Sequence, residues 1–196
     1  MMSKGSWRTA VILVVGVVLP LSVPALSKAE TTRTPVDLGA LTKEIMSLKV
    51  EDKLTQLAMW LPGEFFVEAA LTDSSVTRDQ AEKDLDFLKA YHTIAVESGQ
   101  EQPDGSTIYE SEKQIRARSV LRTADGREVR PIDKPPPKVS ATVSAIKAVI
   151  AGGADTAGMY LLVFPAATQD GKLLVDASKR GKLTLVLKSD AHMKES

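Results

Sequence analysis

From His92 onward this chain breaks into short apolar runs separated by glycine-bearing turns, a texture that points to antiparallel strands rather than long helices. Three Asp-Gly pairs mark the breaks: Asp104-Gly105, Asp125-Gly126 and Asp170-Gly171. Asp-Gly suits tight hairpins because both central residues tolerate positive φ at little steric cost. The strands expected around these turns are Thr93 to Val96, Thr107 to Tyr109, Gln114 to Thr123, Arg127 to Ile132, Met159 to Phe164, Leu173 to Val175 and Leu183 to Leu187. Lys179 to Lys182, with Gly181, is expected as a fourth turn.

Upstream of His92 the period changes. Val36, Leu38, Leu41, Ile45 and Leu48 recur at mainly three- and four-residue spacing, which predicts a short amphipathic helix ending near Leu48. Leu54 to Leu61 is mainly apolar and stops at Leu61-Pro62-Gly63, which fits a buried strand or a short buried helix; periodicity alone does not choose between them, and strand is the preferred reading. Glu64 to Leu71 is expected to form one or two helical turns that bury Phe65 or Phe66. Thr77-Arg78-Asp79-Gln80 has the form of a capping box, so a helix should start there, with Ala81, Leu85 and Leu88 on its inner stripe and an end near Tyr91. Pro135-Pro136-Pro137 is a stiff connector, followed by a helix over Ser140 to Ala151 that Gly152 and Gly153 should stop. The fold class expected is α+β, with an antiparallel sheet or small β-sandwich in the C-terminal half and helices packed against it.

The first 29 residues have another organisation. Lys4 and Arg8 form a positive start, Ala10 to Leu21 is an apolar run, and Ser27-Lys28-Ala29 puts small residues where a signal peptidase reads. The run is shorter than the roughly 20 residues that span a bilayer, and Pro20 and Pro24 interrupt any extension, so cleavage is expected rather than anchoring. Removing 29 of 196 residues leaves 167, the size of one domain. The expected layout is a cleaved leader over 1–29, a flexible lead over 30–35, one domain over 36–188 and a flexible tail over 189–196. Without cysteine the chain has neither a lipidation thiol nor a disulfide. An exported protein, periplasmic or extracellular, with no stable membrane insertion after cleavage, follows as the expectation.

The 25 basic residues balance the 25 acidic ones, and loss of Lys4, Arg8 and Lys28 leaves 22 against 25. Such a chain lacks the basic excess of a nucleic-acid binder. His92 and His192 are the only histidines, too few for a multi-histidine zinc site, and neither metal nor cofactor is expected. Catalytic alternatives are His92 as a general base, without a Gly-x-Ser-x-Gly elbow, and Glu110 with Glu112 as paired carboxylates. Arg116, Arg118 and Arg122 would share one face of a strand over 114–123, and Arg127 and Arg130 would extend it across a hairpin. That face would suit an acidic ligand, and its bland counterpart is a solvated face paired with Glu110, Glu112 and Glu128. Trp60, Phe65 and Phe66 cluster around Pro62; Trp60 joins the candidate binding residues, although core packing accounts for all three.

The run Lys53 to Phe66 with Trp60-Leu61-Pro62, the later Phe164-Pro165-Ala166 and Asp170-Gly171-Lys172, and Asp176 and Gly181 resemble exported bacterial proteins grouped as a domain of unknown function. The resemblance spans most of the chain after the leader and implies a shared fold, with no activity, cofactor or catalytic residue attached. The functional expectation is a non-catalytic domain of the cell envelope that binds a partner or ligand. The alternatives are a hydrolase acting on an envelope or extracellular substrate, and an assembly protein using an exposed sheet edge.

Overall fold

Two central strands that bury both of their faces organise the molecule, which the computed structural model describes over residues 11–13, 45–51, 53–151, 158–175 and 183–188. In chain order the strands are β1 (Val11–Leu13), β2 (Met46–Glu51), β3 (Leu54–Leu61), β4 (Tyr91–Glu101), β5 (Thr107–Tyr109), β6 (Ser119–Thr123), β7 (Glu128–Val129), β8 (Met159–Pro165) and β9 (Leu183–Leu187). The helices are α1 (Gly63–Ala70), α2 (Arg78–Leu85), α3 (Glu112–Arg118) and α4 (Pro137–Ala151), with a 3₁₀ stretch at Asp86–Ala90. A five-stranded antiparallel sheet runs β2-β3-β4-β5, with β8 beside β5 on the same side of β4. A four-stranded sheet runs β1-β9-β6-β7.

Alternation along β3, β4 and β8 feeds two cores. Ala58, Ile94, Val96, Leu162 and Phe164 point from one face of the larger sheet onto Leu121, Leu183, Leu185 and Leu187 of the smaller one. Met59, Leu61, Ala95 and Val163 point the other way, onto Phe65, Phe66, Leu88, Val139, Val143 and Ile146 of the helical segments. The protein is α+β with layers in the order helices, larger sheet, smaller sheet. No helix among the described residues is long and apolar enough to cross a membrane.

Several elements match the sequence reading. β3, β5 and β9 have the expected bounds, and β8 is one residue longer than expected. Thr77 caps α2, its hydroxyl accepting from the Gln80 amide at 3.3 Å. Both Phe65 and Phe66 are buried. α4 begins three residues early, at Pro137, because proline's missing N–H costs nothing in a first turn. α2 passes into the 3₁₀ stretch, and Tyr91 opens β4.

Others are corrected. The larger sheet is built mostly from N-terminal and central strands, not from the C-terminal half, because β3 and β4 supply its centre. Met46–Glu51 is a strand where a helix ending near Leu48 was expected: its backbone groups pair with β3 from Met46 opposite Met59 to Glu51 opposite Leu54. Most of that expected helix lies outside the described residues, as do the Lys179 to Lys182 turn and residues 189–196. The strand expected over Gln114 to Thr123 is α3 followed by β6. Ser111 and Gln114 form a reciprocal capping box, the Gln114 side chain accepting from the Ser111 amide at 2.9 Å, and this starts a helix that buries Ile115. Arg127 to Ile132 contributes only the two residues of β7, and Leu173 makes one bridge, to Ala167.

The three Asp-Gly turns exist, but only their glycines have positive φ: 82° at Gly105, 86° at Gly126 and 78° at Gly171. The amide of Gly126 donates to the Thr123 carbonyl at 3.0 Å, and Gly171 and Gly105 bond likewise to Thr168 and Gln102. Each is a turn closed by a left-handed glycine, and the aspartate side chain braces it. The Thr168 hydroxyl, and then Lys172, hold the Asp170 carboxyl down to about 2.

Of the segment expected to be a leader, Val11–Leu13 falls among the described residues. β1 pairs antiparallel with β9, Val11 opposite Leu187 and Leu13 opposite Leu185, and so occupies the outer edge of the smaller sheet.

Phe164, fully buried between the two sheets, sets the scale of that packing. Phe164→Ala should lower the unfolding free energy by about 3–5 kcal/mol, read as a fall in the urea midpoint at unchanged slope. A loss below about 1 kcal/mol would show that the sheets are not held together there.

Candidate functional site

The five arginines of the expected anion face are distributed over three kinds of backbone. Arg116 and Arg118 lie on α3, Arg122 on β6, Arg127 in the β6–β7 turn and Arg130 just after β7. The single strand face that would have aligned them does not form, because the Ser111 capping box makes the first part a helix. Arg116 donates to Glu112 at 2.7 Å and to the Ile132 carbonyl at 2.9 Å. Arg122 pairs with Glu128 at 2.6 Å, and Arg127 with Asp125 at 2.8 Å. Glu128 is also reached by Lys188, whose ammonium, together with Arg122, holds the Glu128 carboxyl below its usual range. Arg130 is exposed and makes no ion pair among the described residues.

Arg118 has a different setting. It reaches from the end of α3 to the face of the larger sheet that looks toward the smaller one, 2.8 Å from Glu110 and 3.1 Å from the Ser98 hydroxyl. The Ser98 hydroxyl also accepts from Gln56 at 3.4 Å, and both residues are buried. This polar corner ties β3, β4 and α3 together. Glu110 and Glu112 therefore face Arg118 and Arg116, each on its own element, and act as ion partners rather than as a facing carboxylate pair.

Trp60 and His92 occupy the opposite end of the same sheet face. Their rings lie 6.4 Å apart, and Trp60 packs against both cores. Burial lowers the His92 pKa below its ordinary value, which keeps the ring neutral. Its Nε2 is shielded and has no hydrogen-bond partner, and no hydroxyl or carboxylate stands against it among the described residues. His192 lies outside those residues. Nor do the described residues contain a group of three or more side chains able to hold a metal ion.

What the sequence reading missed is on the opposite face of the larger sheet. The helices cover Met59, Ala95 and Val163, with Met159 at the margin of their core, and the two rows beyond are only partly buried. Register aligns Leu48, Leu57, Glu97 and Met159 in one row, and Val50, Thr55, Gly99 and Tyr109 in the next. Tyr109 fits because Gly99 and Gly158 have no side chains: a Cβ on Gly158 would sit 2.3 Å from its ring. At the edge of this face, Met46, Leu48 and Val50 project from β2 with exposures of 43, 59 and 64%. β2 ends the sheet and has no strand on its outer side among the described residues. The signal was legible, since Met-Ser-Leu-Lys-Val-Glu alternates strictly, but Leu48 also completes a helical stripe with Ile45 and Leu41.

Comparison of the chain with protein-family models, with curated proteins and with solved structures returns no match.

Two measurements test this geometry. Arg118→Ala should cost about 2–3 kcal/mol in urea unfolding, because it removes the guanidinium paired with Glu110 and one of the two donors to the Ser98 hydroxyl; a cost no larger than that of Arg127→Ala would remove the corner as an anchor. Glu97 bears on the partly buried face. Desolvation raises its carboxyl above the ordinary 4.5, so the folded state holds the proton more tightly than the unfolded chain. Stability is then greatest below the ordinary value and falls as pH rises through the folded one. Glu97→Gln should melt higher than the parent at neutral pH and lose that advantage below about pH 4; an advantage independent of pH would exclude this origin.

Proposed function

We propose that this chain is a non-catalytic, exported domain of the bacterial cell envelope that binds a partner through the open β2 edge of its larger sheet. The observation that carries the reading is the row of three exposed apolar side chains, Met46, Leu48 and Val50, on an edge strand that pairs with β3 on one side and with no strand on the other among the described residues. Edge strands of stable proteins are normally shortened, bulged, charged or covered, because their free N–H and C=O groups recruit other strands. β2 is six residues long and contains neither proline nor glycine. Strand addition would satisfy its backbone and cover its side chains together.

Export rests on the leader-like organisation of residues 1–29, and the envelope setting on the resemblance to exported bacterial proteins. The balanced charge supports a protein or small-molecule partner over a nucleic acid. Pairing of Arg116, Arg118, Arg122 and Arg127 with carboxylates makes the arginines weaker candidates for an acidic ligand than the β2 edge is for an extended one.

A photo-reactive phenylalanine analogue in place of Leu48, in the protein expressed and recovered after export, tests the surface directly. Illumination should give a discrete adduct, and the same analogue in place of Ala145, exposed on α4, should give none. Equal labelling at both sites, or no adduct at Leu48, would overturn the reading.

A further inference from the structure

Two ring nitrogens at one end of the face between the sheets lack what a buried polar group ordinarily has. Trp60 Nε1 and His92 Nε2 are shielded from solvent and have no hydrogen-bond partner. Buried indole and imidazole groups normally find one, because an orphaned donor or acceptor loses its hydration without compensation. Gln56, Glu110, Arg118 and Arg127 also carry an unpartnered atom, but each holds a hydrogen bond or ion pair elsewhere on the same side chain. Among the described residues, Trp60 and His92 alone carry such an atom on a side chain with no hydrogen bond at all, and their rings are neighbours, with 6.4 Å between centres and an inclination of 58°. We infer that the two nitrogens form a binding site for one uncharged hydroxyl oxygen, whether that of a water or that of a small alcohol.

The site lies where β3 leaves β4. Their pairing ends at Leu61 opposite Thr93, and Pro62 turns the backbone into α1. His92, the next position on β4, therefore has Phe164 of β8 on one side and no paired strand residue on the other among the described residues. Trp60, opposite Ile94, stands diagonally across this notch on the same face of the sheet. Both residues are half-buried, which puts the notch at the rim of the core rather than inside it. The chemistry of the two atoms selects the guest. An indole N–H only donates, so the guest must accept. Burial keeps the imidazole neutral, and its Nε2 then accepts or donates according to the tautomer. A hydroxyl meets both demands: its oxygen accepts from Trp60, and its hydrogen or its second lone pair serves His92. Bonds of about 2.9 Å from one oxygen to each nitrogen bridge rings at this separation. A carboxylate would call for the imidazolium that burial disfavours, and an ammonium has no lone pair to accept from the indole.

Trp7 and Trp60 are the only tryptophans, so the full chain carrying Trp7→Phe has a single indole. In its nitrogen-edited NMR spectrum the Trp60 indole proton should resonate downfield, as a hydrogen-bonded donor does, and reveal the source of the oxygen. A cross-peak to a long-lived water supports the site and assigns its oxygen to water. A saturable shift on titration with isopropanol, with loss of any water cross-peak, supports the site and assigns its oxygen to an alcohol. Acetate, which presents oxygen with a charge, should give no saturable shift. His92→Phe should abolish both contacts, whereas His92→Gln, which keeps a neutral donor and acceptor, should retain them, with circular dichroism unchanged in each. An indole proton at the position of an unbonded donor, with neither contact, would overturn the inference. So would a response to acetate equal to that for isopropanol, or contacts that survive in His92→Phe. The first of these is read with His92 in place, and it decides the matter even where His92→Phe fails to fold.

Discussion

The structure depends on burial of β3, β4 and β8 on both faces at once. Neighbouring residues of one strand serve different cores: Ile94 and Val96 pack toward the second sheet, and Ala95 between them packs toward the helices. A one-residue slip turns every side chain of a strand to the other face, and here it would exchange the contents of two cores. Residue size enforces the arrangement further. The small Ala58 and Ala95 allow close packing, while Phe164 and Phe66 supply the bulk, one on each side. At roughly 25 cal/mol per Å² of apolar surface removed from water, two cores account for a stable domain without a disulfide.

Polar contacts position the pieces that hydrophobic burial leaves free. Ser111 and Gln114 begin α3 immediately after β5, and Arg118 ends it by reaching back to Ser98 and Glu110 on the larger sheet. The helix therefore serves as a strut between the two sheets, and Ile115 on its inner face enters their shared core. A row of arginines that read as a binding face in one dimension becomes, in three, a set of separate anchors. The reason is electrostatic as well as topological, since a guanidinium near the protein interior is retained only where a carboxylate or carbonyl meets it.

The two edges of the sheets have opposite characters. β9 carries β1, from the segment expected to be removed on export, whereas β2 ends the larger sheet with three apolar side chains outward. The helical layer packs over Met59, Ala95 and Val163, with Met159 at its margin, and in the rows beyond, Leu48 and Val50 on β2 and Tyr109 on β5 are exposed while the residues between them are buried or half-buried. Glu97 stands within these rows, its carboxyl raised by desolvation, as a polar residue on an otherwise largely apolar surface. Exposed apolar side chains on β2, an outer side without a strand among the described residues, and a desolvated acid in an adjoining row distinguish this part of the molecule from the rest of its surface.

The sequence by itself determined the elements whose signals are local. Hydrogen bonds and dihedral preferences within a few residues specify the Thr77 cap, the glycine-closed turns at Gly105, Gly126 and Gly171, and the apolar strands β3, β8 and β9. It also contained the Ser111–Gln114 box and the alternation of β2, but each competed with another pattern over the same residues: strand-like alternation through Gln114 to Thr123, and a helical stripe through Ile45 and Leu48. Local energies are nearly balanced there, and tertiary partners decide. β3 supplies the hydrogen bonds that make Met46–Glu51 a strand, and the sheets supply the core that receives Ile115. Which arginines meet carboxylates, which end of the sheet the helices leave bare, and hence where a partner can add, depend on residues far apart along the chain. These were settled only when the backbone brought Ser98 to Arg118 and left β2 at the edge.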